Sequence, residues 1–131
     1  MYGQVIRSMG NIPIDRRDVF ASMRSMRKAV KRLSRAQSIA VMPEGTRTTD
    51  GKLRPFKRLP FQMAKEAGID LVPIGLSGLF GLKNELSWLV KPVRVKIAIG
   101  RIVPARDVRS MPVDELRDLV RGRILALVER P

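Results

Sequence analysis

The chain has 131 residues, of which 44% are hydrophobic, and this is enough apolar material for one core. It contains no cysteine and no histidine, which excludes disulfides, thiol chemistry and an imidazole base within these residues. The 26 Lys and Arg against 12 Asp and Glu give a formal charge of +14, which favours an anionic partner: nucleic acid, anionic lipid or a phosphorylated small molecule. Aromatic residues make up only 5%, so platforms for base stacking are few and nucleic acid is disfavoured.

Apolar residues that recur every three or four positions after Asp15 predict the first helix, with Asp15 or Asp18 suited to cap it. The apolar stripe consists of Val19, Met23, Met26, Val30 and Leu33. Basic residues occupy another face of this helix, namely Arg17, Arg24, Lys28, Lys31 and Arg35. Two interpretations of the basic face stay open: a solvated surface, or a face that rests on anionic lipid.

Residues 38–42, SIAVM, predict a short buried strand that runs into Pro43 and then into Glu44-Gly45-Thr46-Arg47. Glycine lets a backbone approach a ligand, threonine donates a hydrogen bond, and an arginine fork matches a phosphate. Glu44 needs a cationic partner, for which Arg47 and Arg54 are candidates. This pattern is typical of an anion-binding loop, and the alternative is a polar turn with one salt bridge.

The later segments predict two helices, two strands and a tight turn. Asp50-Gly51 favours the turn, and residues 59–67 predict a helix that stops at Gly68. Residues 69–76 predict a strand in which Pro73 marks an edge, a bulge or a strand end. Alternation over residues 93–99 predicts a half-buried strand that ends at Gly100, and residues 112–130 predict a final helix. The uncharged run at 71–82 is too short and too broken to span a bilayer, so no membrane-spanning segment is expected.

A second polar cluster precedes the first helix. The segment GNIPIDR, residues 10–16, runs an apolar stretch into Asp15 and Arg16 at the predicted helix start. Unpaired amides and the helix dipole favour an anion there. Asp15 is therefore predicted as a cap and Arg16 as a phosphate contact.

Taken in order, these segments resemble the glycerolipid and phospholipid acyltransferase family, which includes the 1-acylglycerol-3-phosphate acyltransferases. GNIPIDR is similar to that family's second conserved block, PEGTR at 43–47 to its third, and VPI at 72–74 to its fourth. RPFKR at 54–58 is similar to the basic segment after the third block, and VKIAIGRIV at 95–103 to the strand and glycine near the end of the domain.

The resemblance implies a partial α/β acyltransferase-like domain, with a mixed sheet and flanking helices, over residues 1–131. Its N-terminal part, with the family's histidine, four intervening residues and aspartate, is expected to be missing. The implied reaction transfers a fatty acyl group from acyl-CoA or acyl-ACP to 1-acylglycerol-3-phosphate, giving phosphatidic acid. No bound cofactor or metal is expected. The implied location is peripheral, on the cytoplasmic face of an anionic membrane.

The resemblance also assigns site residues. It implies that the acceptor's phosphate is held by Arg16 and Arg47 with Gly45 and Thr46, and that the site is supported by Asp15, Glu44, Lys57 and Pro73. No catalytic residue is assigned within this chain, because the histidine block is absent from it. A carboxylate flanked by arginines is held ionised, so Asp15 and Glu44 are poor substitutes for the histidine.

Two classes of function follow. The chain is either the acceptor-binding part of a lysophospholipid acyltransferase, or a noncatalytic module that binds anionic lipid or a phosphorylated ligand. Nucleic-acid binding driven by charge is a third and weaker hypothesis, which predicts a steep dependence on salt.

Overall fold

A computed structural model describes residues 11–12, 19–33, 37–82 and 91–128. Its regular elements are α1 (Val19–Leu33), α2 (Leu59–Ala67), β1 (Ile74–Ser77), a short 3-10 helix (Leu79–Gly81), β2 (Lys96–Ile99), α3 (Ala105–Ser110) and α4 (Val113–Val128). Helices and strands share one chain, as the α/β prediction requires. In the described residues the sheet has two antiparallel strands, and the parallel pair that a mixed sheet would also contain is not among them.

The apolar stripe predicted for α1 is only partly buried. Among the side chains that the structure describes, Leu33 of the stripe is buried, as is Ala29 beside it, and the helix packs against α2. Met23, at the other end of the stripe, is 42% exposed. The helix contains five cations and no acidic residue, and all five cations are exposed: Arg24, Arg27, Lys28, Lys31 and Arg32. Charge therefore covers one side of α1, while the other side packs against α2.

Helix α2 has the predicted bounds. Proline is tolerated in the first turn, where Pro60 lies, because the amide it lacks has no partner there. Gly68 ends the helix in the left-handed conformation, with φ +61°, and its amide donates to the carbonyls of Ala64 and Lys65. Phe61 and Ala64 form the buried face of α2.

Pro73 lies immediately before β1, so it marks a strand end, one of the three predicted alternatives. Gly100 donates to the Pro73 carbonyl at 2.8 Å, and an isolated bridge joins Leu71 to Val103 on the other side. Pro73 is fully buried. The predicted strand over 69–76 is therefore shorter and later than expected, because a proline cannot donate to the ladder.

The sheet presents its two faces to different surroundings. In the register Ile74 pairs with Ile99, and Gly75 pairs with Ala98. The small residues lie under α4: a Cβ added to Gly75 would stand 2.8 Å from the Cβ of Leu127. The large residues lie on the other face, and Ile97 and Ile99 are 66% and 71% exposed. The alternation over 93–99 correctly predicts a strand, although the strand covers only Lys96–Ile99 and its bulky apolar side is open in the described structure.

The prediction of a buried strand over residues 38–42 is wrong. These residues form no strand, and Val41 and Met42 are 37% and 71% exposed. A buried strand needs a neighbouring strand for its backbone and a layer over each face. Nothing in the described ranges supplies either to this segment, and it leads into Pro43 without regular secondary structure.

The core lies between α2, α3 and α4. It consists of Phe56, Phe61, Ala64, Val103, Val108, Leu116 and Val120. Leu116 and Val120 lie on the inward stripe predicted for the last helix, which begins at Val113 rather than at Pro112. The predicted end at Arg130 lies outside the described residues. The short helix α3 was not predicted; Pro104 before it and Asp107 in its first turn are the signals that indicate a helix start.

Candidate functional site

The segment PEGTR begins with a tight turn. The Gly45 amide donates to the Met42 carbonyl at 3.2 Å, which places Pro43 and Glu44 at the two central positions. Gly45 has φ +70°, and a Cβ there would lie 3.3 Å from Cγ of Lys57. Glycine is needed for both reasons, because a side chain would strain the backbone and press on the lysine.

The basic segment at 54–58 runs beside this turn and is hydrogen-bonded to it at two places. The Lys57 amide donates to the Pro43 carbonyl at 2.7 Å. The Arg54 amide donates to Oε2 of Glu44 at 2.8 Å. Of the two predicted partners of Glu44, the structure therefore supports Arg54. The contact is made by the backbone amide of Arg54 and not by its guanidinium. Glu44 joins two segments of the loop and so fixes its shape.

The outer part of the loop forms the tight turn predicted from Asp50-Gly51. Oδ1 of Asp50 accepts hydrogen bonds from the Lys52 amide at 3.0 Å and from the Thr48 hydroxyl at 2.8 Å. These donors, the amide first, hold the pKa of Asp50 below its ordinary value. Gly51 has φ +77° and lies against the ring of Phe80.

Phe56 attaches the basic segment to the core. Its side chain is 6% exposed, and its ring stacks on that of Phe61 with centroids 6.2 Å apart. The flanking residues Pro55 and Lys57 are exposed. Phe56 was not among the predicted site residues, although a single aromatic residue inside a basic run is a signal for such an anchor.

A cavity of about 380 Å³ opens between the turn and the basic segment. It is lined by Glu44, Gly45, Thr46, Arg54, Pro55 and Lys57. Two cations and one carboxylate line it, and the carboxylate is already engaged by the Arg54 amide. The remaining charge is positive, so the cavity suits an anion with a hydrogen-bonding surface. Arg54 and Pro55 were not among the predicted site residues.

The predicted site residues that the structure describes fall into three groups. Glu44, Gly45, Thr46 and Lys57 meet at the cavity. Arg47 follows Thr46 and is exposed, but it is not among the residues that line the cavity. Pro73 is buried against Gly100, where it supports the start of β1.

Asp15 and Arg16 lie outside the described residues, so their convergence with Arg47 stays a prediction. Within the described ranges no three acidic, histidine or cysteine side chains are grouped closely enough to hold a metal ion. In the same ranges no helix has the length and hydropathy needed to cross a membrane.

The sequence and the fold can both be compared with known proteins. A family model described as "Acyltransferase" matches residues 1–77. A 1-acyl-sn-glycerol-3-phosphate acyltransferase of Limnanthes douglasii is 30% identical over 122 residues, which cover 92% of this chain and 42% of that protein. The enzyme of the same name from Salmonella typhimurium is 28% identical over 130 residues, covering 98% of this chain and 51% of that protein.

A solved structure gives the same result for the fold. The crystal structure of the 1-acyl-sn-glycerophosphate (LPA) acyltransferase, PlsC, from Thermotoga maritima matches with a TM-score of 0.72 at 28% identity. The match covers 80% of this chain and 43% of that one. The chain thus spans about half the length of the relatives it matches, and its α/β architecture is that of a partial domain. Because the family model covers more than half of its residues, the chain belongs to the glycerolipid acyltransferase family.

Proposed function

We propose that this chain carries the acceptor-phosphate site of an acyltransferase of phospholipid biosynthesis. The acceptor is 1-acylglycerol-3-phosphate, the acyl donor is a thioester of coenzyme A or acyl carrier protein, and the product is phosphatidic acid. The observation that carries the proposal is the cationic cavity at Gly45 and Thr46, built from the two segments that resemble the family's phosphate-binding loop.

The reaction needs few groups besides those that bind the acceptor. The acceptor hydroxyl oxygen attacks the thioester carbonyl carbon, a new ester bond forms, and the carbon–sulfur bond breaks. The hydroxyl proton must leave through a base and reach the departing thiolate. No histidine is present in the 131 residues, so no imidazole among them can take this proton. We therefore assign to this chain the binding and orientation of the acceptor.

The residues at the cavity divide this work. Lys57 and Arg54 supply positive charge, Thr46 supplies a hydroxyl donor, and Gly45 keeps the backbone close to the ligand. Arg47 extends from the same turn and is proposed to close over the phosphate together with Arg16. Two arginines on one phosphate would hold the acceptor in a defined position. This reduces the entropic cost of bringing the acceptor hydroxyl to the thioester.

The direct test is binding of glycerol 3-phosphate to this chain, observed in amide NMR spectra. We expect saturable shifts at Gly45 and Thr46, and no shifts there with glycerol, which lacks the phosphate. Inorganic phosphate is expected to bind the same amides more weakly. The proposal fails if glycerol 3-phosphate leaves both amides unchanged, or if glycerol shifts them equally.

A noncatalytic module that binds anionic lipid or a phosphorylated ligand is the second candidate. The absence of histidine from these residues favours it. The two candidates differ when the full-length protein is given 1-acylglycerol-3-phosphate and an acyl thioester. Formation of phosphatidic acid supports the enzyme, whereas binding of the acceptor without any acyl transfer supports the module.

We also propose peripheral contact with an anionic membrane at the cytoplasmic face, made by the exposed cations of α1. Five cations without a single acid in 15 residues produce a field that attracts anionic headgroups. The contact would bring a lipid acceptor near the loop. Vesicle sedimentation tests it, because binding to vesicles with phosphatidic acid should exceed binding to neutral vesicles. RNA that competes with these vesicles on equal terms would count against the lipid assignment.

A further inference from the structure

We propose that Arg121 of α4 is a positioning residue for the acceptor's phosphate, acting through the loop at the cavity. The inference rests on the proposed function, because the shape of the loop matters for acceptor use only if the loop binds the phosphate. Arg121 does not line the cavity itself. It acts on the backbone that does.

The guanidinium of Arg121 engages two consecutive carbonyls of the basic segment. Nη2 donates to the Leu53 carbonyl at 3.0 Å, and Nε donates to the Arg54 carbonyl at 3.3 Å. A planar fork with donors at fixed spacing suits such a pair of acceptors, and a lysine could satisfy only one of them well. The contact crosses 67 and 68 positions of sequence, so it joins the end of the chain to the site.

The hydrogen bonds continue from these carbonyls into the turn. Arg54 accepts from Arg121 with its carbonyl and donates its amide to Glu44 at 2.8 Å. Glu44 is one of the central residues of the turn that places Gly45 and Thr46 at the cavity. A displacement of the Arg54 peptide would therefore move both a cation at the cavity and the carboxylate that shapes the turn.

Helix α4 is well suited to hold Arg121 in place. Val120, the preceding residue, is 6% exposed, and Leu116, one turn earlier, is fully buried. The guanidinium thus extends from a part of α4 that is packed into the core, and its hydrogen bond to Leu53 is partly buried. Helix α4 lies beyond residues 1–77, the part that the family model matches.

The same helix supplies a matched control. Arg123 also donates to two consecutive carbonyls, those of Arg101 at 2.9 Å and Ile102 at 3.4 Å. These carbonyls belong to the segment after β2, and neither residue lines the cavity. Arg123 donates to both carbonyls from Nη1, whereas Arg121 uses Nε and Nη2. Arg121→Met and Arg123→Met therefore each remove a guanidinium that joins α4 to two consecutive carbonyls, and only the first removes it from the loop.

The first measurement is amide hydrogen exchange in this chain. In Arg121→Met we expect the amides of Arg54 and Lys57 to exchange about fivefold faster or more, because the backbone that holds them loses two donors. In Arg123→Met these two amides should be unchanged, while Val103, on the other segment, exchanges faster. Equal effects of the two variants on Arg54 and Lys57 would overturn the proposal.

The second measurement is the affinity for glycerol 3-phosphate. We expect Arg121→Met to weaken it about three- to tenfold, Arg121→Lys to restore part of the loss, and Arg123→Met to leave it at the wild-type value. If the melting temperature falls equally in both methionine variants, a loss of stability does not explain why only Arg121→Met weakens the affinity for glycerol 3-phosphate. Unchanged affinity in Arg121→Met would overturn the inference.

The two measurements separate this inference from the proposed function. If the wild-type chain does not bind glycerol 3-phosphate, the proposed function fails, and the exchange pattern still decides whether Arg121 holds the loop. If the wild type binds but the two variants behave alike, the proposed function stands and the role of Arg121 is wrong.

Discussion

Two regions of this molecule are rich in cations, and they are built differently. Helix α1 carries five exposed cations on a regular helix surface with no acid among them. In the loop at residues 43–58 the cations stand on backbone that is held by hydrogen bonds to Glu44 and Pro43 and by the buried ring of Phe56. Charge is common to both regions, and in the described residues the loop also lines a cavity.

The two regions are therefore suited to recognise different kinds of ligand. A charged helix face attracts any polyanion over a distance, and salt weakens that attraction, since the Debye length falls from about 8 Å at physiological salt to about 3 Å at 1 M. A held loop offers donors at set positions, so it can distinguish a phosphoester from other anions. We expect α1 to recruit and the loop to select.

The largest expected effect comes from removing the anchor of the loop. Phe56→Ala should lower the free energy of unfolding by about 3–5 kcal/mol, because a large ring in contact with Phe61 leaves a cavity in the core. Phe80→Ala is the control, since Phe80 is 57% exposed, and it should cost about 1 kcal/mol or less. Urea unfolding measures both. An equal cost for the two rings would mean that the loop is not anchored as described.

A smaller effect is expected when α1 loses charge. The triple variant Arg27→Gln, Lys28→Gln and Lys31→Gln should weaken binding to vesicles that contain phosphatidic acid by about 3 kcal/mol, at about 1 kcal/mol for each cation near the surface. Its affinity for glycerol 3-phosphate should stay the same, because the loop is untouched. Vesicle sedimentation and NMR titration measure the two quantities separately.

The control for this variant removes equal charge elsewhere. Arg94, Arg101 and Arg106 are all exposed and lie outside α1 and the loop. Replacing these three with glutamine should change vesicle binding much less than the α1 variant does. If both triple variants weaken vesicle binding alike, net charge and not the α1 face is responsible.

Arg47→Ala tests the loop directly. It should weaken binding of glycerol 3-phosphate by about 1–2 kcal/mol. The loss is smaller than for a buried arginine–phosphate contact, because Arg47 is exposed. Arg106→Ala, also exposed, should leave the affinity unchanged. In the full-length enzyme the same loss should appear in the KM for the acceptor and not in that for the thioester. Equal effects of the two alanine variants would remove Arg47 from the site.

The smallest effect concerns pH. The pKa of Asp50 is held below its ordinary value, so the turn is stabilised above the pKa of the unfolded chain and loses that stabilisation as pH falls through the folded pKa. An NMR titration should show the Lys52 amide shifting on acidification with a midpoint below that of a free aspartate. Asp50→Asn should abolish this shift. A midpoint at the ordinary value would contradict the two hydrogen bonds to Asp50.

Segments of this chain differ in how far the sequence predicts them. Local sequence pattern is sufficient to predict helix α2 and the glycine that ends it. This is because a proline in the first turn and a left-handed glycine at the end act through the nearest residues. The turn at Gly45 and the turn at Gly51 are readable for the same reason. The strand at 38–42 was wrongly predicted, because strand formation depends on neighbours that local pattern does not contain.

The sequence by itself determined that the chain is strongly basic, lacks an imidazole, alternates helices with strands and carries a glycine-threonine-arginine loop. Composition and short-range periodicity are sufficient for each of these. Tertiary structure alone decided that Glu44 holds the Arg54 amide, that Phe56 enters the core, and that Arg121 donates to the loop from a helix more than sixty residues later. Such contacts form only when packing of the core brings distant backbone groups within hydrogen-bonding distance, and no local pattern records that approach.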